Sequence, residues 1–412
     1  MGGLNSADGG YFDIVIGNPP YVFTRDVDFG LDFKRYVQDA YFSRLAKDNI
    51  SIKTKANQSG KINLFALFIL NGKNLLNNNG TLNFIIPNNL LRGTVFDTIR
   101  YDILMKNGVI SIVDLGAGIF EKVTASTIIF HIGKKQEETP IKIITDIKSL
   151  LQKEYNFTLI NQANFLKNTS YTFNIMLNEE QIILSNKIKE SKTLFGNYCV
   201  DIIEGIVAHK HLILEEKSDK THELLEGKDI KRFYVIKASN HIIWNLDEIH
   251  RKRPDYLWKE PIKIIMQRIS GGKMPLVAAL DKQKRKTFAS INNIVLKDEY
   301  KNYYQFFVAL LNSKLLNWYY ANNFSNNSNL TVNISKTFLE TLPIATPTEK
   351  YLQAFIKIVD IIEEEYDDSK HSSYCNELDY MTYKLYNLTY EEVKIIEPNF
   401  SLSEKEYNEF TI

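Results

Sequence analysis

Cysteine is scarce in this chain: there are two in 412 residues, Cys199 and Cys375, far apart and neither in a Cys-x-x-Cys pair. That argues against a disulfide-stapled scaffold and a thiolate metal site, and it favours a reducing compartment. Long apolar runs are missing as well. No segment approaches the roughly 18 to 20 apolar residues of a membrane-spanning helix, and no basic stretch leads into an apolar one at the N-terminus. No membrane partner is expected, and the cytoplasm is the expected location. Nothing in the composition suggests disorder: 44% hydrophobic and 24% charged residues fit a folded protein of two or three domains, each with its own core. The net charge of +1 hides an asymmetry. From Thr346 to Ile412 six Lys and Arg face fifteen Asp and Glu, which leaves a net +10 on the preceding 345 residues. A basic body with interleaved aromatics suits a polyanion such as DNA, because phosphate contacts dominate nucleic-acid affinity, although a solvated surface of uneven charge has the same composition.

The apolar pattern alternates between strand and helix over the first third. Tyr11 to Gly17 reads as a buried strand, Asn63 to Leu76 as a core helix, and Asn77-Asn78-Asn79-Gly80 as its stop. Thr81 to Pro87 follows as a strand, Val95 to Asn107 as a helix, and Val109 to Leu115 and Ala125 to Ile132 as two more strands. Alternation of this kind predicts an α/β layer with a largely parallel sheet. From about Lys134 short β-like runs among polar segments replace it, which marks a second, mixed α/β domain. Asn317 to Asn333, with seven asparagines, reads as a loop, and after Pro343 the chain becomes acidic and helical. The expected division is therefore 1–135, 136–345 and 346–412.

The first strand runs directly into Asn18-Pro19-Pro20-Tyr21. Such a loop offers a side-chain oxygen on Asn18, a backbone carbonyl on Pro19 held by two successive prolines, and an aromatic plate on Tyr21. An exocyclic amino group on a purine is a poor nucleophile because its lone pair is delocalised into the ring. Two acceptors for its N–H groups move it toward a localised, attacking state, and fixed acceptors do so without reorganisation. The pattern points to amino-group methyl transfer. A base inside a duplex has to be flipped out before such a loop can reach it. A tight loop after a strand is the plain alternative, but a strand-helix-strand context places this one at the carboxyl end of a sheet, where open α/β folds bind ligands.

On these residues the chain resembles the γ-class N6-adenine DNA methyltransferases of the TaqI-like branch, a group that includes restriction-modification enzymes. Phe12 through Tyr21 is similar to the family's catalytic motif, and Asn63 to Leu76 and Gly80 to Asn88 to the helix and strand that follow it. Ile119 to Phe130 resembles the later motif whose phenylalanine packs on the flipped adenine, which implies that role for Phe120 beside Tyr21. Glu226 to Phe233, Met266 to Ile269, Leu310 to Ser313 and Leu342-Pro343 resemble the target-recognition domain, and Leu385 to Thr389 with Glu391-Glu392-Val393 its closing helix. The resemblance implies a partial Rossmann-like methyltransferase sheet, a mixed α/β target-recognition domain and a helical C-terminal segment. It also implies double-stranded DNA as partner and S-adenosylmethionine as methyl donor.

In the second domain Lys228, Gln267, Arg268, Lys273, Lys284, Arg285 and Lys286 are candidates for DNA contact, since Arg and Gln suit bidentate base reading and lysines suit phosphates. The family's glycine-rich donor loop and ribose-binding acid lie upstream of the catalytic loop, and this chain begins less than twenty residues before it. A permuted arrangement would use Asp114-Leu115-Gly116-Ala117-Gly118, but a donor loop should open a helix, and Val123 to Ile132 is β-branched and strand-like. The expectation is the C-terminal part of a larger enzyme, inactive alone and completed by an upstream methyltransferase segment or subunit, with Tyr11 to Gly17 left as an unpaired edge. One alternative is a DNA-recognition module that depends on a partner for chemistry. Another is a glutamine methyltransferase of release factors, against which the extra basic domain counts. Pro254-Asp255 with Glu260-Pro261-Ile262-Lys263 departs from nuclease spacing, and His209-Lys210-His211 lacks nearby ligands beyond Glu204, so neither a nuclease nor a metal site is expected.

Overall fold

Asn63 starts the first long helix for a local reason: its side-chain oxygen accepts the Phe65 N–H, a donor that a helix start otherwise leaves unpaired. The computed structural model describes residues 10–28, 30–37, 39, 62–120, 126–134, 140–146, 156–190, 192–272, 274–325, 332–364 and 368–412. Two compact units divide the chain at Glu179 and Glu180. The first contains β1 (Phe12–Gly17), α1 (Gly30–Val37), α2 (Leu64–Leu75), β2 (Leu76–Pro87), α3 (Asp97–Lys106), β3 (Asn107–Gly116), β4 (Thr127–Lys134), β5 (Ile141–Ile144) and β6 (Thr158–Ile160).

These strands form one sheet in the order β1-β2-β4-β3-β5-β6. β1 is parallel to β2 and β3 to β5, but β4 runs antiparallel to both neighbours and β6 antiparallel to β5. The sheet is mixed, which corrects the expectation of a largely parallel one. Parallel neighbours need a crossover of about a dozen residues or more, usually a helix. The link 117–126 shows no helix among its described residues, and the chain returns beside β3 in the opposite direction. The first unit also extends past the change of sequence pattern near Lys134, because β5 and β6 belong to the same sheet.

α2 buries Phe65, Ala66, Ile69 and Gly72. At Gly72 a Cβ would come 2.5 Å from Leu82 Cδ1 of β2, so any larger residue would have to displace that leucine side chain. α3 holds a buried cation. The Arg100 guanidinium donates to the carbonyls of Leu90 and Gly93 at 2.7 and 2.9 Å, and to those of Ser170 and Tyr171 at 2.7 and 3.0 Å. Ser170 and Tyr171 occupy the left-handed region at φ 54° and 55°, a conformation that persists only where surrounding structure holds it. Arg100 is part of that hold. The buried Asp102 carboxylate meanwhile ties α3 to α2 through Lys73 and also pairs with Lys106 one turn on in α3.

The second unit contains α4 (Glu179–Lys189, entering from the last residue of the first), β7 (Cys199–Glu204), β8 (Ile213–Leu214), β9 (Thr221–Leu225), β10 (Asn240–Ile243), β11 (Lys263–Gln267), β12 (Ala278–Asp281), β13 (Lys286–Thr287) and β14 (Ile291–Leu296). Then come α5 (Tyr304–Asn312), α6 (Lys314–Phe324), α7 (Glu349–Glu364), α8 (Asp368–Leu385), α9 (Tyr390–Ile396) and α10 (Glu404–Glu409). The strands make an antiparallel sheet, β12-β11-β14-β7, and a smaller sheet, β13-β9-β10-β8. The C-terminal helices share one hydrophobic core with β7, β11, β12 and β14. Their acidic residues meet lysines of the same unit: Lys187 with Glu392 at 2.6 Å, and Lys282 with Glu363 and Lys314 with Glu397 at 2.7 Å each. Both cysteines are free and buried, and no helix among the described residues is long and apolar enough to cross a membrane.

The asparagine-rich stretch differs from expectation. Through Phe324 it is helical, and Asn317 lies at full burial in α6. Its amide donates to the Leu311 and Ser313 carbonyls, and its oxygen accepts the Leu276 N–H at 2.7 Å. Polarity excludes a side chain from the core only when its hydrogen bonds go unmade. Residues 326–331 of that stretch lie outside the described residues.

Asp379 generates a pH prediction. One of its oxygens accepts the Lys314 N–H at 2.7 Å, the other has only the Lys314 ammonium at 3.8 Å, and burial pushes the carboxyl up to about 6. A carboxyl whose folded pKa exceeds its unfolded value of 3.8 binds more protons in the native state between those two values. Its contribution to stability therefore falls as pH rises from about 4 through about 6. Urea unfolding at both ends of that window is expected to show Asp379→Asn gaining stability relative to the parent as pH rises; a pH-independent difference would refute the assignment.

Candidate functional site

The sheet of the first unit brings four chain ends to one edge. β1 and β2 are parallel, with Gly17 opposite Phe84, so Asn18-Pro19-Pro20-Tyr21 leaves the sheet beside Ile85 to Asn89. β3 runs in the same direction as β2, since both are antiparallel to β4, and its end at Gly116 pairs with Thr127 at the start of β4. Thr127 in turn pairs with Pro87, and the Asn88 N–H donates to the Ser126 carbonyl at 2.9 Å. Phe120 lies on the link between β3 and β4, at this same edge, and is half-buried. The expected catalytic loop and the expected stacking residue thus share one sheet edge. The stretch 121–125 of the Phe120 motif lies outside the described residues.

Within the loop, Pro19 is buried while Asn18 and Pro20 are exposed. Tyr21 is half-buried, its hydroxyl donates to the Ile85 carbonyl at 3.0 Å, and burial raises its phenol above the ordinary value. This bond crosses from the loop to β2 and sets where the ring lies. Asn89 was not singled out from the sequence. Its side-chain oxygen, at the end of β2, is buried without a hydrogen-bond partner. A cavity of about 690 Å³ follows the loop along the chain, bounded by Thr24 to Asp28 and by Phe33, Lys34 and Val37 of α1.

The Asp114–Gly118 run does not open a helix. Gly116 and Gly118 adopt φ of +71° and +80°, values that only glycine takes readily, and the chain turns back toward β4. Asp114 accepts the Gly116 N–H at 3.0 Å, and burial raises its carboxyl, opposed by that bond and by Arg92. On the other side of the sheet β1 is the outer strand. Phe12, Ile14 and Ile16, alternate residues on one face of it, are 52%, 64% and 79% exposed.

In the second unit the candidate DNA contacts separate by their partners. Lys228 is exposed and reaches Glu226 at 3.1 Å, beside an Asp229 carboxylate that accepts the Glu226 and Ser239 N–H groups. Lys284 is exposed on a turn at φ 56°. Gln267 donates to the Ile230 carbonyl at 2.8 Å, Arg268 binds Glu204 and the Ala289 carbonyl at 3.1 Å each, and Arg285 binds Glu223 at 2.9 Å. Lys286 lies over the rings of Trp244 and Trp258 at 4.1 and 5.0 Å, and burial lowers its ammonium to about 8. Lys273 lies outside the described residues. The basic run itself is anchored by a fully buried pair, Lys263 with Asp281 at 2.6 Å, which also consumes the lysine of the nuclease-like run. Among the described residues no group of three His, Cys, Asp or Glu is arranged to hold a metal ion.

Residues 4–120 match the Eco57I restriction-modification methylase family, and residues 222–344 match the TaqI-like C-terminal specificity domain. The chain is 22% identical over 323 residues to a putative type II restriction enzyme and methyltransferase of Methanocaldococcus jannaschii, an alignment covering 75% of this chain and 25% of that protein. Among solved structures it is similar to the type IIL restriction-modification enzyme MmeI in complex with DNA, with a TM-score of 0.58 and 11% identity over 96% of this chain and 57% of that one. A DrdV–DNA complex aligns with a TM-score of 0.53 and 9% identity over 85% of this chain and 44% of that one. Likeness at such identities shows the fold. The chain spans a quarter of the length of the curated relative and just over half that of MmeI.

The loop geometry predicts that Tyr21→Phe, which loses only the bond to the Ile85 carbonyl, destabilises the first unit by about 0.5 to 1.5 kcal/mol. Chemical denaturation followed by a first-unit probe measures it; no change would mean that the hydroxyl does not hold the loop.

Proposed function

From a chain that joins an Eco57I restriction-modification methylase segment to a TaqI-like specificity segment, we propose a site-specific DNA methyltransferase of a restriction-modification system. Its target is the N6 amino group of an adenine flipped out of duplex DNA. The observation that carries this reading is the common sheet edge, where Asn18 to Tyr21 emerges from β1 against Ile85 to Asn89 and beside the Phe120 segment. Asn18 and Pro19 accept hydrogen bonds from the adenine amino group, through the side-chain oxygen and the backbone carbonyl respectively. Both acceptors are aimed before the base arrives, and they localise its lone pair. Tyr21 and Phe120 hold the base between aromatic faces. Lys228 and Lys284 meet phosphates, while Gln267, Arg268, Arg285 and Lys286, each with a partner in the chain, shape the recognition surface around them. Lys273 belongs to the same proposed set.

S-adenosylmethionine would supply a sulfonium methyl to that amino group. No cradle for it fits the described residues, because the glycine-containing run at Asp114–Gly118 turns back into the sheet instead of opening a helix. The exposed apolar alternation on β1 supports a donor-binding segment that pairs along this strand, in the same polypeptide or in a partner subunit. The same open edge favours the second reading, a recognition module whose chemistry resides wholly in a partner.

Asn18→Ala separates the two. With duplex DNA, labelled S-adenosylmethionine and the donor-binding segment present, this substitution is expected to lower N6-adenine methylation by at least about 100-fold without changing DNA affinity. Undiminished methylation would place the chemistry in the partner. The parent chain alone is expected to bind no S-adenosylmethionine by calorimetry, and saturable binding would overturn the two-segment assignment.

A further inference from the structure

Two basic runs far apart in sequence, His209-Lys210-His211 and His250-Arg251-Lys252-Arg253, lie side by side in the second unit. An antiparallel bridge between Ala208 and Ile249, and the Arg251 N–H bonded to the Val207 carbonyl at 3.3 Å, pair the two segments. The ring of His209 stands 4.1 Å from that of His250 and 5.5 Å from that of His211, centroid to centroid. Carboxylates nearby are outnumbered. Glu204 alone faces three guanidinium groups, Arg251 at 3.2 Å, Arg253 at 3.6 Å and Arg268 at 3.1 Å. Glu248 is taken by His211 at 2.7 Å, and Asp247 by Lys252 at 3.6 Å. Lys210 is exposed and has no ion-pair partner among the described residues.

Five permanent cations therefore meet these three carboxylates even with every imidazole neutral; Asp201, the next acid acting on Arg253, is bound to Lys336 at 2.6 Å. An internal salt-bridge cluster would balance its charges and leave water, yet the side chains of Arg251, Lys252 and His211 remain 60%, 56% and 63% exposed. The three histidines are not arranged to hold a metal ion. What the cluster offers instead is a dense set of N–H donors, and guanidinium, ammonium and imidazole groups all match phosphate oxygens. Backbone pairing of the two segments holds these donors in place.

We propose that the paired segments 207–211 and 248–253 form a separate, sequence-independent contact to the phosphodiester backbone of duplex DNA. Lys210, Arg251 and Lys252 meet the phosphates, and His209 and His250 donate hydrogen bonds beside them. Glu204 keeps the arginine side chains spread and oriented before DNA arrives. This assignment rests on the DNA-binding reading given above.

The test is a titration of the full chain with duplex DNA of unrelated sequence over about 50 to 200 mM salt, comparing the parent with the combined variant Lys210→Ala, Arg251→Ala, Lys252→Ala. Each phosphate contact contributes roughly 0.9 to the slope of log affinity against log salt. The variant is expected to lose about 2 to 3 from that slope and at least about tenfold in affinity at the low-salt end, with its thermal unfolding unchanged. A folded variant that binds with the parent's affinity and slope overturns the assignment while leaving the DNA-binding reading intact. An equal loss in Lys405→Ala, on α10, also overturns it, by showing that any surface lysine suffices. Displacement of DNA by polyglutamate at equal charge would assign the surface to an acidic polypeptide instead. A parent that binds no duplex DNA at any salt brings down the DNA-binding reading and this assignment together.

Discussion

Parallel pairing of β1 with β2 is the constraint on which the first unit depends. Gly17 opposite Phe84 means that the two chains leave the sheet together and in the same direction. A one-residue slip would invert the faces of β1 and carry the Asn18 loop away from Ile85. Much of the unit keeps that register in place. Gly72 lets α2 lie directly on β2, Asp102 fastens α2 to α3, and Arg100 gathers the carbonyls of the segment after β2 together with those of Ser170 and Tyr171. The antiparallel return of β4 then brings the Phe120 segment to the same edge.

The same constraint leaves β1 half paired. One side of its backbone is bonded to β2, and its alternate side chains Phe12, Ile14 and Ile16 face water. Exposed apolar alternation on an edge strand is unfavourable for an isolated domain. It becomes intelligible if a further segment covers it, and a segment added beside β1 would stand next to Asn18, where the proposed methyl transfer calls for a donor. The loop and the open strand are then two parts of one arrangement.

Charge follows a similar logic in the second unit. The acidic C-terminal helices do not cancel the basic body uniformly; they take up Lys187, Lys282 and Lys314, while Asp281 and Glu223 take up Lys263 and Arg285. Another group of cations lies at the paired segments near His209 and His250, where Glu204 faces Arg251, Arg253 and Arg268. Several basic residues that look alike in sequence therefore differ in availability. Arg268 and Arg285 are bound within the fold, whereas Lys210 and Lys284 are exposed.

Local chemistry was legible from the amino-acid order. The strand into Asn18-Pro19-Pro20-Tyr21, the Asn63 helix start and the order of the family-like motifs all depend on neighbours within a few residues, whereas Asn77 to Gly80, expected as a helix stop, lies inside β2. So did the α/β class, because the periods of strand and helix are local. The tertiary structure decided what depends on distant partners. The mixed direction of the sheet comes from how the chain turns after Gly116, and the burial of Asn317 from carbonyls and an N–H that folding brings to it. The basic surface near Lys210 exists only because an antiparallel bridge joins residues 208 and 249. Residue type sets which bonds a group can make; packing sets which of them it has already made, and so which remain for a partner.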